Sequence, residues 1–264
     1  MKRDVGALIS LSVLEPAELV FSIAVAAGVT PATENLSFTL DGAPVEYEEL
    51  TDAHGTRLQR LAVGAGSFEA SYSASVVGRA VPEELDATDL IRYLRPSRYC
   101  ESDTLVPTAV AEFSGVTGVE LLGAVSSWVG TRLAYVSGSS LPTDGAVRTM
   151  LARQGVCRDY AHLCVALLRA MNVPARLAAV YAPGLYPMDF HAVAEAYVDD
   201  DWHVVDATTL APRGTMLRIS TGRDASDTAF LTTLSGAIEL GAMTVTAVAD
   251  VLPDDDVTKL DRLG

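Results

Sequence analysis

Between Arg153 and Arg176 the chain reads RQGVCRDYAHLCVALLRAMNVPAR, which sets Cys157 where a glycine-led turn passes into a helix. Helix starts ordinarily carry Ser, Thr, Asp or Asn, whose oxygens accept from the first free N–H groups. A thiol at that point suits a different task. It is a nucleophile only as the thiolate, and the unsatisfied N–H groups and dipole of a helix start favour the charged form. Cys164 stands about two turns further on, beside the apolar stripe of Val165, Leu168 and Met171, and is the structural thiol of the pair. A thiolate nucleophile needs a base and a group that orients the base. His191, opening HAVAEAYV, and Asp206, closing DWHVVDATT, supply candidates for both. Alternating residues on either side of the acidic run 199–201 predict an antiparallel hairpin with Trp202 opening the return strand. A turn on that run pairs Asp206 with Ala194, at the same end of the hairpin as His191.

The remaining reactive residues have quieter readings. His162 lies inside the helix and reads as a packed or hydrogen-bonded side chain, and Cys100 as a structural thiol. Cys157 and His162 do not share a helical face and no further ligand pair accompanies them, so no metal site is expected. His203 alternates with Trp202 on a strand, where packing is the default and lining the cleft the alternative. Arg158 and Asp159 read as capping or surface-pairing residues, with orientation of a substrate carboxylate as the other option.

The elements that must position these residues fall into two units. Residues 1–85 hold short alternating stretches (ELVFSIAVAA, NLSFTLDG, TRLQRLAVGAG, SFEASYSASVV) punctuated by Gly, Pro, Asn and Asp, the pattern of an antiparallel β domain of sandwich-like type. The acidic VPEELDATDL and Pro96 suggest a linker. Residues 86–264 form the second unit. It opens with a helical pattern in GVELLGAVSSWVGTRLAYV, continues through a short helix ended by Gly155 and a helix from about Cys157 to Met171, and turns at Pro174 into strands. AMTVTAVADVL adds late strands, and the tail PDDDVTKLDRLG reads as solvated.

Taken together, GVCRDYAHL with LLRAMNVPAR, FHAVAEAYV and WHVVDATT resemble the transglutaminase-like superfamily. The resemblance implies an α+β chain with a papain-like core, in which the nucleophile sits at a helix N-terminus packed on an antiparallel sheet, preceded by an N-terminal β domain. It implies Cys157 as nucleophile, His191 as general base and acid, and Asp206 as the residue that orients His191. It also implies an oxyanion site built on the N–H of Cys157, with Tyr135, Trp128 and Gln154 as alternatives for the second donor. The chain departs from the family pattern at Val193, where many relatives carry Trp, and at Ala207, where many carry Pro. The activity implied is acyl transfer through a Cys thioester without any cofactor. Hydrolysis of a peptide or isopeptide amide leads. Acyltransfer or ring closure on an amine or small-molecule thioester is the alternative, and a silent binding scaffold the reading from another class.

Composition narrows the partners. With 264 residues, 49% of them hydrophobic, the chain can bury a large core, and its net charge of −15 repels nucleic acid and anionic membranes. The expected partners are a peptide, protein or small acyl substrate, and the apolar late strands offer a face for a homo-oligomer. Three cysteines without a C-x-x-C pair fit a reducing compartment. Asp4, Glu15, Pro16 and Glu18 interrupt the apolar N-terminal stretch, so it reads as a strand pair rather than a signal or span, and a cytoplasmic location is expected.

Overall fold

The computed structural model describes residues 1–80 and 85–263. Its spine is β1 (Lys2–Phe21), around which β2 (Thr33–Leu40), β3 (Ala43–Pro44), β4 (Glu48–Thr51), β5 (Arg57–Val63) and β6 (Gly66–Val77) assemble into a curled antiparallel sheet. One edge of β1 pairs with β6 over Lys2–Val13 and then with β5 over Ala17–Phe21. The N-terminal segment is therefore one strand of twenty residues and not the expected pair: Pro16 falls in the gap between the two partners and bends β1 without ending it. Alternation along β6 turns Phe68, Ala70, Tyr72, Ala74 and Val76 inward, as a half-buried strand requires.

The second unit contains α1 (Ala87–Arg92), α2 (Ser102–Phe113), α3 (Gly118–Arg132), β7 (Ala134–Tyr135), α4 (Ala146–Ala152), β8 (Gln154–Gly155), α5 (Cys157–Ala170), β9 (Ala175–Tyr181), β10 (Phe190–Val198), β11 (Asp201–Val205) and β12 (Leu217–Gly222). Of the expected linker, residues 81–84 lie outside the described residues; beyond them the chain forms α1, capped by Asp86, and Tyr93 is buried behind it. Helix α5 is buried from Asp159 onward and runs through the middle of the unit. On one side it meets the antiparallel sheet β11-β10-β9-β12, and α2, α3 and α4 pack around the rest of it. Arg153, in the left-handed region at φ 55°, ends α4, so the helix stops two residues before the expected Gly155.

Two further corrections concern register and connectivity. The β10–β11 turn is made by Asp199 and Asp200 alone, both at positive φ (51° and 63°), the backbone of a tight two-residue hairpin. Val205, not Asp206, therefore sits opposite Ala194, and Asp206 lies just past the end of β11. The late strand β13 (Leu231–Ala249) does not complete the second unit's sheet. It returns to the first and pairs along β1 from Arg3 to Phe21. Where β13 passes the bend, Gly236 adopts φ 85°, and a Cβ there would lie 2.3 Å from the Pro16 carbonyl oxygen, so only glycine fits. One core cluster draws on both sheets, with Tyr181, Leu217 and Ile219 among the β1–β6 side chains.

The tail from Asp250 is coil and mostly exposed, yet it is attached rather than free. Arg213 holds the Asp255 carboxylate and donates to the carbonyls of Asp256 and Lys259, and the Val204 N–H donates to the Asp261 carbonyl at 2.9 Å, covering the outer edge of β11. Among the described residues no single helix is long and apolar enough to cross a membrane.

Candidate active site

The cap position of α5 belongs to Val156, which is extended, and Cys157 is the first helical residue, partly exposed. The capping work falls to Asp159, whose Oδ2 accepts from the Val156 N–H at 2.8 Å. This carboxylate needs the room left by Gly155, since a Cβ at that residue would stand 2.6 Å from the Asp159 Cβ. Gly155 also pairs in parallel with Tyr135, and its carbonyl accepts from the Val136 N–H at 3.0 Å. Arg158 donates to Ser140 Oγ (2.7 Å) and to the Leu141 carbonyl (2.9 Å), while Ser140 Oγ donates to Asp159 Oδ1. The loop after β7 is thus strapped to the start of α5, and the Cys157 backbone has little freedom.

His191 is the second residue of β10, and Asp206 follows β11, which places them together at one end of the hairpin. His191 Nε2 and Asp206 Oδ2 are 3.0 Å apart, and both side chains are buried. The other Asp206 oxygen accepts from the backbone N–H and the hydroxyl of Thr208, at 2.9 and 2.7 Å, which fixes the carboxylate plane. His191 Nδ1 is buried and has no hydrogen-bond partner, and the groups acting on the imidazole are the Asp206 carboxylate and the Cys157 thiol. Burial opposes charge on His191, but the Asp206 carboxylate, by its charge and its hydrogen bond, and then Cys157, outweigh it and raise the imidazole from its ordinary 6.5 to about 10. Asp206 is held below the usual carboxylate range: burial pushes it up, and His191 and Thr208 pull it further down.

The other sequence-predicted residues divide. Tyr135 is at the site: its phenol, pushed up to about 12 by burial first and then by the neighbouring Cys157 sulfur, lies against the Cys157 backbone and thiol. Trp128 is elsewhere, its indole N–H donating to Glu112 Oε2 at 2.9 Å and its ring against Phe113 on the outer helices. Gln154 is exposed, with its backbone in β8. His203 is buried inside β11, its Nε2 directed at the Val198 carbonyl, so it packs and does not line the cleft. His162 is fully buried, stacks on Tyr99 and accepts from the Ala225 N–H through Nε2; burial drives its pKa down to about 3, so it is neutral. Cys100 and Cys164 are buried, and burial raises both thiols, the first to about 12. No group of three or more His, Cys, Asp or Glu side chains able to hold a metal occurs among the described residues.

A cavity of about 330 Å³ opens beside Cys157 and His191, and its far walls come from the first sheet: Ser22 after β1, and Leu231 and Met243 of β13. These residues were not legible beforehand, because nothing local in the sequence ties the end of β1 or β13 to a helix start in another unit.

A family model described as the transglutaminase-like superfamily matches residues 111–207, which include all three of Cys157, His191 and Asp206. A solved structure from Cytophaga hutchinsonii, described as that of a candidate cysteine protease, is 34% identical to this chain with a TM-score of 0.85, covering 97% of this chain and 92% of that one. The chain belongs to the transglutaminase-like superfamily. An uncharacterized protein of Mycobacterium tuberculosis is 41% identical over 71 residues, 27% of this chain. Another, from Mycobacterium leprae, is 25% identical over 117 residues, 40% of this chain. These matches span about a fifth and two fifths of those relatives' lengths, 21% and 41%. Full-length likeness thus comes from the solved structure. Its coverage includes the first sheet and β13 as well as the Cys, His and Asp segment. The two departures from the family pattern fall differently: Val193 is buried in the sheet's own core, and the Ala207 carbonyl closes against Gly130, where a Cβ would stand 2.7 Å from it.

Proposed function

We propose that this chain is a cysteine-dependent amidase or peptidase that cleaves a peptide or isopeptide amide through a thioester on Cys157. The observation that carries the reading is the buried His191–Asp206 pair, whose free imidazole nitrogen is left beside a thiol at the first turn of α5. The name borne by the C. hutchinsonii relative supports the same class.

In this reading Cys157 and His191 act as a thiolate–imidazolium pair. The sulfur attacks the amide carbonyl carbon, and the C–S bond forms as the carbonyl electrons move onto oxygen. The resulting oxyanion is met by the Cys157 N–H and the Tyr135 phenol, both of which can donate. His191 gives its proton to the departing nitrogen as the C–N bond breaks, leaving the thioester. A water then loses a proton to neutral His191 and attacks the same carbon, releasing the acid and the sulfur. Asp206, fixed by Thr208, keeps the imidazole oriented through both halves.

The test is alkylation by iodoacetamide across a pH series, mapped to each cysteine by peptide mass spectrometry. Cys157 is expected to react selectively well below pH 8 and to lose that selectivity in His191→Ala, while Cys100 and Cys164 stay unmodified in folded protein. Fluorogenic peptide amides then complete the test: Cys157→Ala is expected to abolish turnover, and full turnover in that variant sinks the nucleophile assignment.

A further inference from the structure

Strand β13 has an edge that the fold leaves open. Among the described residues β1 is its one partner, so along its 19 residues the N–H and C=O groups of the other edge have no strand to bond. Natural sheets blunt such an edge with lysine, proline, bulges or a covering element. From Leu231 to Met243 bulges do this work, breaking the register with β1 at four places. Met243–Ala249, which reads MTVTAVA, has none of these defences. It runs in unbroken register opposite Arg3–Ile9, without a charge or a proline. Thr244, Thr246 and Val248 are exposed, while Val245 and Ala247 turn into the core. In a chain with 34 acidic residues the whole of β13 holds one, Glu239.

This stretch matches itself. A two-fold axis through Thr246, normal to the sheet, sets two copies antiparallel. Thr246 then meets the partner's Thr246, Thr244 the partner's Val248, Val245 the partner's Ala247 and Met243 the partner's Ala249. Exposed residues meet exposed residues and core-facing residues meet core-facing residues, as the two-residue period of a strand demands. Thr–Thr is a favoured cross-strand pair, and the larger Met243 and Val245 each face an alanine. The same register keeps like charges apart. The nearest acids are Asp4, opposite Val248 on β1 and paired with Lys2 at 2.8 Å, and Asp250, which accepts from the Lys2 N–H at 2.9 Å. Asp4 and the partner's Asp4 stand at least three strand spacings apart, about 14 Å, beyond the ~8 Å over which exposed charges act at physiological salt. Asp250 and the partner's Asp250 lie at opposite ends of the stretch. A chain of net charge −15 therefore meets its own copy at this edge without opposing acids, and the match of both faces under one axis is what a second copy requires.

We infer that the free edge of Met243–Ala249 pairs antiparallel with the same edge of a second copy of this chain, joining two first sheets into one across a two-fold axis at Thr246. Met243 also lines the cavity beside Cys157, so the pairing sets the partner's Ala249 at the rim of that cavity. The inference stands apart from the amide-cleaving reading. Its first test is sedimentation velocity over a concentration series. The parent is expected to pass from the mass of one chain to that of two between about 1 and 100 µM, the range suited to a contact at the small end of stable interfaces. Thr246→Lys sets two ammonium groups against each other at the axis, on the exposed side of β13. It is expected to weaken assembly at least about tenfold, with circular dichroism unchanged. Register is read separately with introduced cysteines under copper–phenanthroline oxidation. Thr246→Cys is expected to yield a disulfide-linked dimer joined at that position, mapped by peptide mass spectrometry, because directly opposed Cβ atoms stand about 4.5–5.5 Å apart. Thr232→Cys, also exposed on β13 but far from the axis, is expected to stay unlinked. A parent of single-chain mass at every concentration overturns the inference. So does a dimer that Thr246→Lys leaves intact, or a link that forms from position 232 and not from 246.

Discussion

At the scale of single residues, the His191–Asp206 pair makes activity and stability answer to the same protons. The folded-state pKa of His191, about 10, stands above its ordinary 6.5. Its contribution to stability is therefore fully present below pH 6.5 and is lost as pH rises from there through 10. Asp206 works in the opposite sense: its folded pKa is depressed, so its contribution holds above the ordinary carboxylate range and fades as pH falls below it. Replacing Asp206 by Asn removes the charge that outweighs burial at His191. The variant is expected to be less stable than the parent by about 3 kcal/mol near pH 6, the usual effect of breaking a buried pair. The difference is expected to shrink toward pH 10, where the parent also gives up the imidazolium. Urea unfolding at the two pH values measures this, and a gap independent of pH shows that the pair is not ionised in the folded protein. The thiols complete the residue-scale picture. Cys100 and Cys164 are protected both by burial and by the upward pKa shift that burial brings, so selectivity for Cys157 needs no special reagent.

Among the elements, the β10–β11 hairpin gives the sharpest local test. Asp200 occupies φ 63°, a conformation that strains a side chain, and Asp-Gly is a favoured pair for a turn with two positive φ angles. Asp200→Gly is expected to stabilise the protein by about 0.5–1 kcal/mol, raising its thermal midpoint by a few degrees, with thiol reactivity at Cys157 unaltered. A lowered midpoint in calorimetry means that Asp200 holds a contact worth more than its strain. The same hairpin marks the limit of sequence reading. Its existence, its direction and the end at which His191 and Asp206 meet were legible from alternation and the acidic run. The register was off by one, because a run of three aspartates does not say which two make the turn. Helix α5 and its thiol were equally legible, but the cap was not: Val156 holds that place and Asp159 does the bonding from inside the helix. Tyr135 was separable from Trp128 and Gln154 only in three dimensions, because all three precede Cys157 and spacing alone does not tell a side chain over a helix start from one on an outer face. Ser22, and β13 as a partner of β1, depend on pairings between distant parts of the chain that no local pattern encodes.

For the molecule as a whole, the chain crosses between its two sheets more than once, and this predicts how it unfolds. It begins in the first sheet with β1, builds the helices and β9–β12, and returns to lay β13 along β1. Polar contacts repeat the crossing. The Tyr181 hydroxyl donates to the Ile23 carbonyl at 2.7 Å, the Ala26 N–H to the Arg218 carbonyl at 2.9 Å, and the Thr221 N–H to Thr56 Oγ1 at 3.2 Å. Deepest is Glu195 on β10, buried and bonded to both Arg176 and Arg218, with Arg176 in turn 3.2 Å from His54 of the first unit. Burial alone would push the Glu195 carboxyl up, but the two guanidiniums outweigh it and hold the group at about 2. Two units sharing a core and this network are expected to melt together, although the sequence divides them near residue 85. The chain's two tryptophans, Trp128 and Trp202, both lie in the second unit, whereas far-ultraviolet circular dichroism follows the strands of both. Urea transitions by the two probes are therefore expected to coincide. Glu195→Gln, which takes away the carboxylate that both arginines share, is expected to destabilise by about 3–5 kcal/mol and to shift both transitions equally. A fluorescence transition that moves alone means that the first sheet stands by itself. The cleft, whose walls come from both sheets, is then expected to lose its substrate preference before the first sheet unfolds.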